Sequence, residues 1–228
     1  MNMLKTKRTT PKSSVYQTFM TKGKEFTGEA MRQQGIVMHL ATETLPTKRT
    51  RTAIAHRLAE RNNTTWQNIY SGIFRDLDEI LLPLGIVEEA GRLPIKRGPK
   101  ALQDQGVPYY QLTNSGLLVA ASLTEISKER IRIMSDFFEM NSNSKDKDLR
   151  KSILTLLDVA PNFVSSLLKR YVESYSEGKI DQLIPFDTDS VKKAFDETLM
   201  IQRELLEGFS SLSNLDREPI INFLKKVA

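Results

Sequence analysis

The sequence predicts a mainly α protein with one small β-hairpin: a helix-turn-helix unit closed by the hairpin, then an all-helical C-terminal domain. Three observations predict it. Two segments with apolar stripes at helical period flank Asn62-Asn63-Thr64, a tight-turn sequence. Two short extended segments, starting at Gly85-Ile86-Val87 and Val107-Pro108-Tyr109-Tyr110, bracket a basic loop containing Gly and Pro. Beyond residue 124 the apolar residues recur almost wholly at helical spacing.

Residues 1–26 hold Lys5, Lys7, Arg8, Lys12, Lys22 and Lys24 without a sustained apolar period, the pattern of a flexible basic tail. Tyr16, Phe19 and Phe26 are the exception, able to pin part of it to the folded body. Thr27 caps a helix running to about residue 42, with Met31, Val37, Met38 and Ala41 inward. Pro46 marks a loop over 43–50. A second helix covers about 52–61, striped by Ile54, Ala55 and Leu58. The two asparagines tolerate the left-handed backbone of a tight turn, and Thr64 or Thr65 caps the next helix. The third helix, about 65–82, carries Trp66, Ile69, Ile73, Leu77, Ile80 and Leu84 on one face. Thr64, Asn68, Ser71 and Arg75 fall opposite, at about 100° per residue. Asp78 and Glu79 come only in later turns, so the early turns are free of acid. The loop at 91–106 has four basic residues, Arg92, Lys96, Arg97 and Lys100, against one acid, with Gly98-Pro99 at its tip. A short aromatic strand then runs straight into a helix start at Thr113-Asn114-Ser115-Gly116.

The C-terminal hundred residues are assigned helices at 124–140, 149–159, 161–175, 187–212 and 216–227, with a polar loop at 141–148. Pro161 suits a first helical turn. Asp187 reads as a helix cap rather than a cation ligand. This region is expected to be a dimerisation domain, the alternative being that its helices pack only on their own chain. Tyr171, Tyr175 and Arg170 are the candidates to line a pocket between helices, although no residue announces an effector.

Composition narrows the function. The 228 residues are 39% hydrophobic and 27% charged, as in ordinary globular proteins. No apolar run approaches a bilayer span, there is no apolar leader at the N-terminus, and no cysteine is present. A cytoplasmic, non-membrane protein is expected. The net charge of +5 is uneven: residues 1–52 carry ten Lys/Arg against three Asp/Glu, while the remainder is nearly balanced. Such an excess is compatible with polyanion binding. His39 and His56 are the only histidines, and neither belongs to a metal-binding spacing. Phosphate-loop, dinucleotide and nucleophile-elbow patterns are all missing. No enzyme, cofactor or metal is expected.

Residues 52–123 resemble a winged helix-turn-helix domain. The spacing Gly106-x-x-Tyr109-Tyr110-x-Leu112-Thr113-x-x-Gly116 is similar to the second wing strand and following helix of PadR-like and MarR-like regulators. The resemblance covers about a third of the chain, or somewhat more when the helix near residue 28 joins a domain spanning 27–123. It implies a homodimeric double-stranded DNA-binding protein acting in transcription regulation. By position, Thr65, Asn68, Ser71 and Arg75, with Thr64 beside them, match the recognition-helix face. Arg92, Lys96, Arg97 and Lys100 match the wing. On this reading the third helix enters the major groove and the wing grips the backbone or minor groove. Two other readings stay open: a winged-helix docking module in a protein assembly, and a chromatin-like non-specific DNA binder. Surface acids at Glu60, Asp76, Glu88 and Glu89 would suit the docking module.

Overall fold

A computed structural model describes residues 28–94, 100, 105–141, 147–195 and 198–227. These are mainly helical, with one two-stranded antiparallel hairpin. The basic tail, Thr27, and Lys96 and Arg97 of the loop lie outside the described residues.

Helix α1 (Gly28–Thr42) buries Ala30, Gln33, Ile36, Val37, Leu40 and Ala41. Met31, expected inward, is 51% exposed. The phase is set by Ile36 and Leu40, which point at the core where Met31 cannot. In α2 (Arg51–Arg61), Thr50 caps the first turn by accepting from the Ala53 N–H at 3.3 Å, and Ile54, Ala55, Leu58 and Ala59 are buried. Asn63 takes the left-handed conformation, φ 49°, that the turn requires. Helix α3 (Trp66–Arg75) comes next, with Thr65 at the N-cap position but making no side-chain cap bond.

The axis of α3 continues through a wider turn, Asp76–Leu81, in which Leu82 N–H donates to the Leu77 carbonyl at 2.9 Å and Ile86 N–H to that of Leu81 at 3.0 Å. A donor five positions beyond its acceptor, one more than in an α-helix, places an extra residue in the turn. The buried phase therefore slips, and Leu81 joins Ile73 and Leu77 in the core. Ile80 and Leu84, which a uniform 3.6 period puts there, are only half-buried.

Strands β1 (Val87–Leu93) and β2 (Val107–Leu112) pair with Val87 opposite Leu112 and Leu93 opposite Val107, with an irregularity between Glu89 and Gly91. Arg92, assigned to the loop by sequence, sits inside β1 opposite Pro108. A third segment joins from the far side. Thr50 forms an isolated bridge with Tyr109, and Tyr110 N–H donates to the Arg49 carbonyl at 3.1 Å.

The glycine–tyrosine pattern has a packing explanation. Gly106 has φ 77°, where a Cβ would also stand 2.8 Å from the Leu93 carbonyl oxygen. Tyr110 and Leu112 are buried. Thr113 caps helix α4 (Asn114–Ser122), its hydroxyl accepting from Gly116 N–H at 3.2 Å. Gly116 lies against the backbone of Ile86, where a Cβ would come within 2.1 Å of the carbonyl oxygen.

Helix α4 is central. Leu118, Val119, Ala120 and Ala121 are all buried, and it packs on α1 on one side and on α5 (Arg130–Met140) and α7 (Pro161–Ser176) on the other. A helix apolar all round belongs in an interior. Buried residues from Ile36 through Ala194 form one continuous cluster, with α6 (Lys147–Val159) adding Ile153 and Leu157. Buried Arg130 joins α5 to the end of α4: its Nε donates to the Ala121 carbonyl at 2.7 Å and its Nη2 to that of Leu123 at 2.8 Å.

The helix expected over 187–212 is not continuous. Asp187 does cap α8 (Thr188–Ala194), accepting from Ser190 N–H at 2.8 Å. Phe195 is then extended, with φ −117° and ψ 116°. The Ala194 carbonyl accepts instead from the hydroxyl of buried Ser174 at 3.0 Å, a long-range bond no local pattern reveals. In the last two helices, α9 (Thr198–Ser211) and α10 (Asn214–Val227), no residue whose burial is described is buried, although Leu199 packs half-buried against the core.

Candidate nucleic-acid interface

The site is built on α3 and its anchors. The inner side of α3 is fixed by Ile73 and by Leu77 just beyond it, both fully buried. Arg51, at the start of α2, ties its far end: the guanidinium pairs with Asp78, lies 4.5 Å from the centre of the Phe74 ring and 5.4 Å from that of Tyr110. At its beginning Trp66 stacks obliquely on His56 of α2, ring centres 4.9 Å apart, and meets Tyr70 edge-on at 5.6 Å. The orientation of α3 relative to α2 and the hairpin is thereby set from both ends.

Asp76 is fully buried, with Arg32 Nε donating to its Oδ2 at 2.8 Å. It is not the surface acid that the sequence suggested. Burial raises its carboxyl above the usual range, against the lowering effect of the Arg32 hydrogen bond and charge. Its Oδ1 is buried without a hydrogen-bond partner among the described residues. The pair locks α1 to the end of α3.

Thr65, Asn68, Ser71 and Arg75 are all exposed, and Thr64 is half-buried at the turn. The structure thus brings Thr65, Asn68, Ser71 and Arg75 to one outer side of α3, with Thr64 in the turn before it. Gln67, exposed in the first turn, lies on the same side and was missed, although its helical angle is about 40° from that of Ser71. The cations are less free than the sequence implies. Arg75 Nη2 lies 3.8 Å from Glu29 of α1. Arg92 makes a two-pronged pair with Glu89, at 2.6 and 3.2 Å. Lys100 is exposed. Lys96 and Arg97 lie outside the described residues, so the loop tip contributes no geometry.

Among the described residues no three or more His, Asp or Glu side chains are grouped to hold a metal ion, and no helix is long and apolar enough to cross a membrane. Of the pocket candidates, Arg170 borders a depression of about 270 Å³ with Phe163, Glu173 and Phe195, whereas Tyr175 borders another of about 180 Å³ with Asp181 and Leu84. Tyr171 borders neither: it is buried, its hydroxyl donating to the Leu183 carbonyl at 3.2 Å.

No protein-family model, curated protein or solved structure matches the chain.

Proposed function

We propose that this chain is a double-stranded DNA-binding protein acting in transcription regulation, with α3 as the major-groove element and the β1–β2 hairpin as a wing on the backbone or minor groove. The observation that carries the reading is the outer side of α3. It presents hydroxyl and amide groups in its early turns and the Arg75 guanidinium at its last residue, on a helix whose other side is sunk in the core. Base edges are read by such groups from such a position. The element order supports it too: α1, the Thr50 bridge, α2, α3 and the hairpin succeed one another as in a winged helix-turn-helix.

A second reading has its own observation. Arg75 and Arg92 each face a carboxylate on this chain, an arrangement that favours docking on a protein over phosphate binding. Duplex binding measured by fluorescence anisotropy across a salt series separates the two. Neutralising roughly six to ten phosphates predicts about a 10³–10⁵ loss of affinity between roughly 50 and 200 mM salt. Asn68→Ala with Ser71→Ala should flatten preference among sequences, while neutralising Lys96, Arg97 and Lys100 should weaken all sequences alike. No binding at the low-salt end would refute the DNA reading and leave the docking module.

A further inference from the structure

We infer that Arg32 of α1 is a phosphate-contacting residue of the same interface, held in place by Asp76 and admitted by Gly72. This rests on the reading of α3 as the major-groove helix, and it adds α1 to the elements that touch the duplex.

Helix α1 packs on α3, and Gly72 is where Arg32 crosses it. A Cβ at that position would stand 2.7 Å from Arg32 Nε and 2.9 Å from its Cζ, so the guanidinium fills the space a side chain would take. Glycine weakens a helix interior; here it makes room for a charged group. Gly72 follows Asn68 by four residues and precedes Arg75 by three, at helical angles about 40° and 60° from theirs. The Arg32 guanidinium therefore stands at the edge of the outer side that bears both.

Arg32 is gripped by one edge. Its Nε donates to Oδ2 of fully buried Asp76 at 2.8 Å. Its Nη1 and Nη2 make no hydrogen bond among the described residues, and Asp76 Oδ1 is buried without a partner there. A closed arginine–carboxylate pair sets two nitrogens on two oxygens. This pairing is single, and the Arg32 side chain stays 21% exposed. A guanidinium fixed at Nε with its fork open is preorganised for two oxygens of a backbone phosphate.

The other charges at this place are Arg75 and Glu29, both of which act on Asp76 electrostatically. Glu29 turns Oε1 to the Gln33 amide at 3.2 Å and Oε2 to Arg75 Nη2 at 3.8 Å. The second contact is longer than a hydrogen bond. A phosphate entering at Arg32 thus meets Arg75 beside it without first breaking a close pair. Phosphate contacts fix register and orientation on a duplex and carry no sequence information. Arg32 accordingly sets where α3 lies along the groove, while Asn68 and Ser71 read the bases.

The test is Arg32→Lys in the full chain, with binding to labelled duplexes of several sequences read by fluorescence anisotropy across a salt series. A lysine ammonium on Asp76 keeps the charge and the tie to α3 but has no second edge to offer. Affinity should fall about 10-fold on every duplex alike. The slope of log affinity against log salt should flatten by about 0.9. On the unsubstituted chain, modification of Arg32 by phenylglyoxal, followed by mass spectrometry, should slow when duplex saturates the protein. That measurement decides alone if the variant does not fold. Unchanged affinity and slope in Arg32→Lys, with a parent that binds duplex, overturn the inference and leave the major-groove reading standing. A variant that loses sequence preference at the parent slope also overturns it, by making Arg32 only a spacer between α1 and α3. So does an Arg32 modification rate indifferent to bound duplex. A parent that binds no duplex at low salt removes both readings.

Discussion

Gly116→Ala puts a single methyl group where the hairpin meets the central helix. The new Cβ would stand 2.1 Å from the Ile86 carbonyl oxygen and 3.1 Å from the Leu112 Cβ. The first distance is more than about 1 Å inside ordinary contact, and its partner is backbone, which cannot swing aside. Helix α4 must therefore withdraw, carrying buried Leu118, Val119, Ala120 and Ala121 with it. Overpacking of this kind costs about 1–3 kcal/mol. The withdrawal also strains the Thr113 cap, worth about 1 kcal/mol, and the 3.1 Å bond from Thr113 N–H to the Ile86 carbonyl. A total near 3 kcal/mol shifts the folding equilibrium on the order of 100-fold and lowers Tm by about 6–12 °C for a chain of this size. Calorimetric melting reads it directly. The matched control is Gly208→Ala on exposed α9, where a Cβ meets nothing within 4 Å. There the methyl should stabilise by about 0.5–1 kcal/mol through helix propensity alone. If the Gly116 variant melts within about 2 °C of the parent, the close approach of α4 to Ile86 is wrong.

Buried titrating groups give two further predictions. Burial raises the Asp76 carboxyl, so the folded chain holds that proton to higher pH than the unfolded chain does. The resulting stability contribution is lost as pH rises from about 4 through the folded pKa. Urea denaturation between about pH 4 and 7 should show this downward slope in the parent and not in Asp76→Asn; equal slopes would sink the assignment. Tyr110 and Tyr171 are each pushed up to about 12 by burial. The fold favours their neutral forms, so stability falls as pH climbs above about 10. Ultraviolet titration of the six tyrosines should then show these two ionising late, together with unfolding, and reversible ionisation of all six near pH 10 in an intact fold would contradict their burial.

What the sequence disclosed was governed by local chemistry. The turn at Asn63, the Asp187 cap and the Pro161 helix start each depend on residues within a few positions. The outer side of α3 was legible because exposure there obeys the helical wheel. The hidden features depend on distant partners. Asp76 reads as a surface acid until Arg32, 44 positions earlier, is seen beside it. The slip of phase at Leu81 comes from a change of helix type that no apolar pattern encodes, and the break at Phe195 from a carbonyl bound by Ser174. Within the site, Glu29 beside Arg75 is equally invisible, since it belongs to a different helix. The Glu89–Arg92 pair was within reach at three residues' separation, but only once β1 is known to extend past Gly91.

The position of α4 has a mechanical consequence. The segment bearing α3 and the hairpin rests on the same short helix that α5 and α7 grip, and Arg130 clasps the end of that helix from the C-terminal side. A protease cutting near residue 123 would not release two intact bodies, because either fragment would keep one flank of α4 and expose the other. A tilt imposed on α5 or α7 therefore acts on the helix against which α1 and β2 also pack.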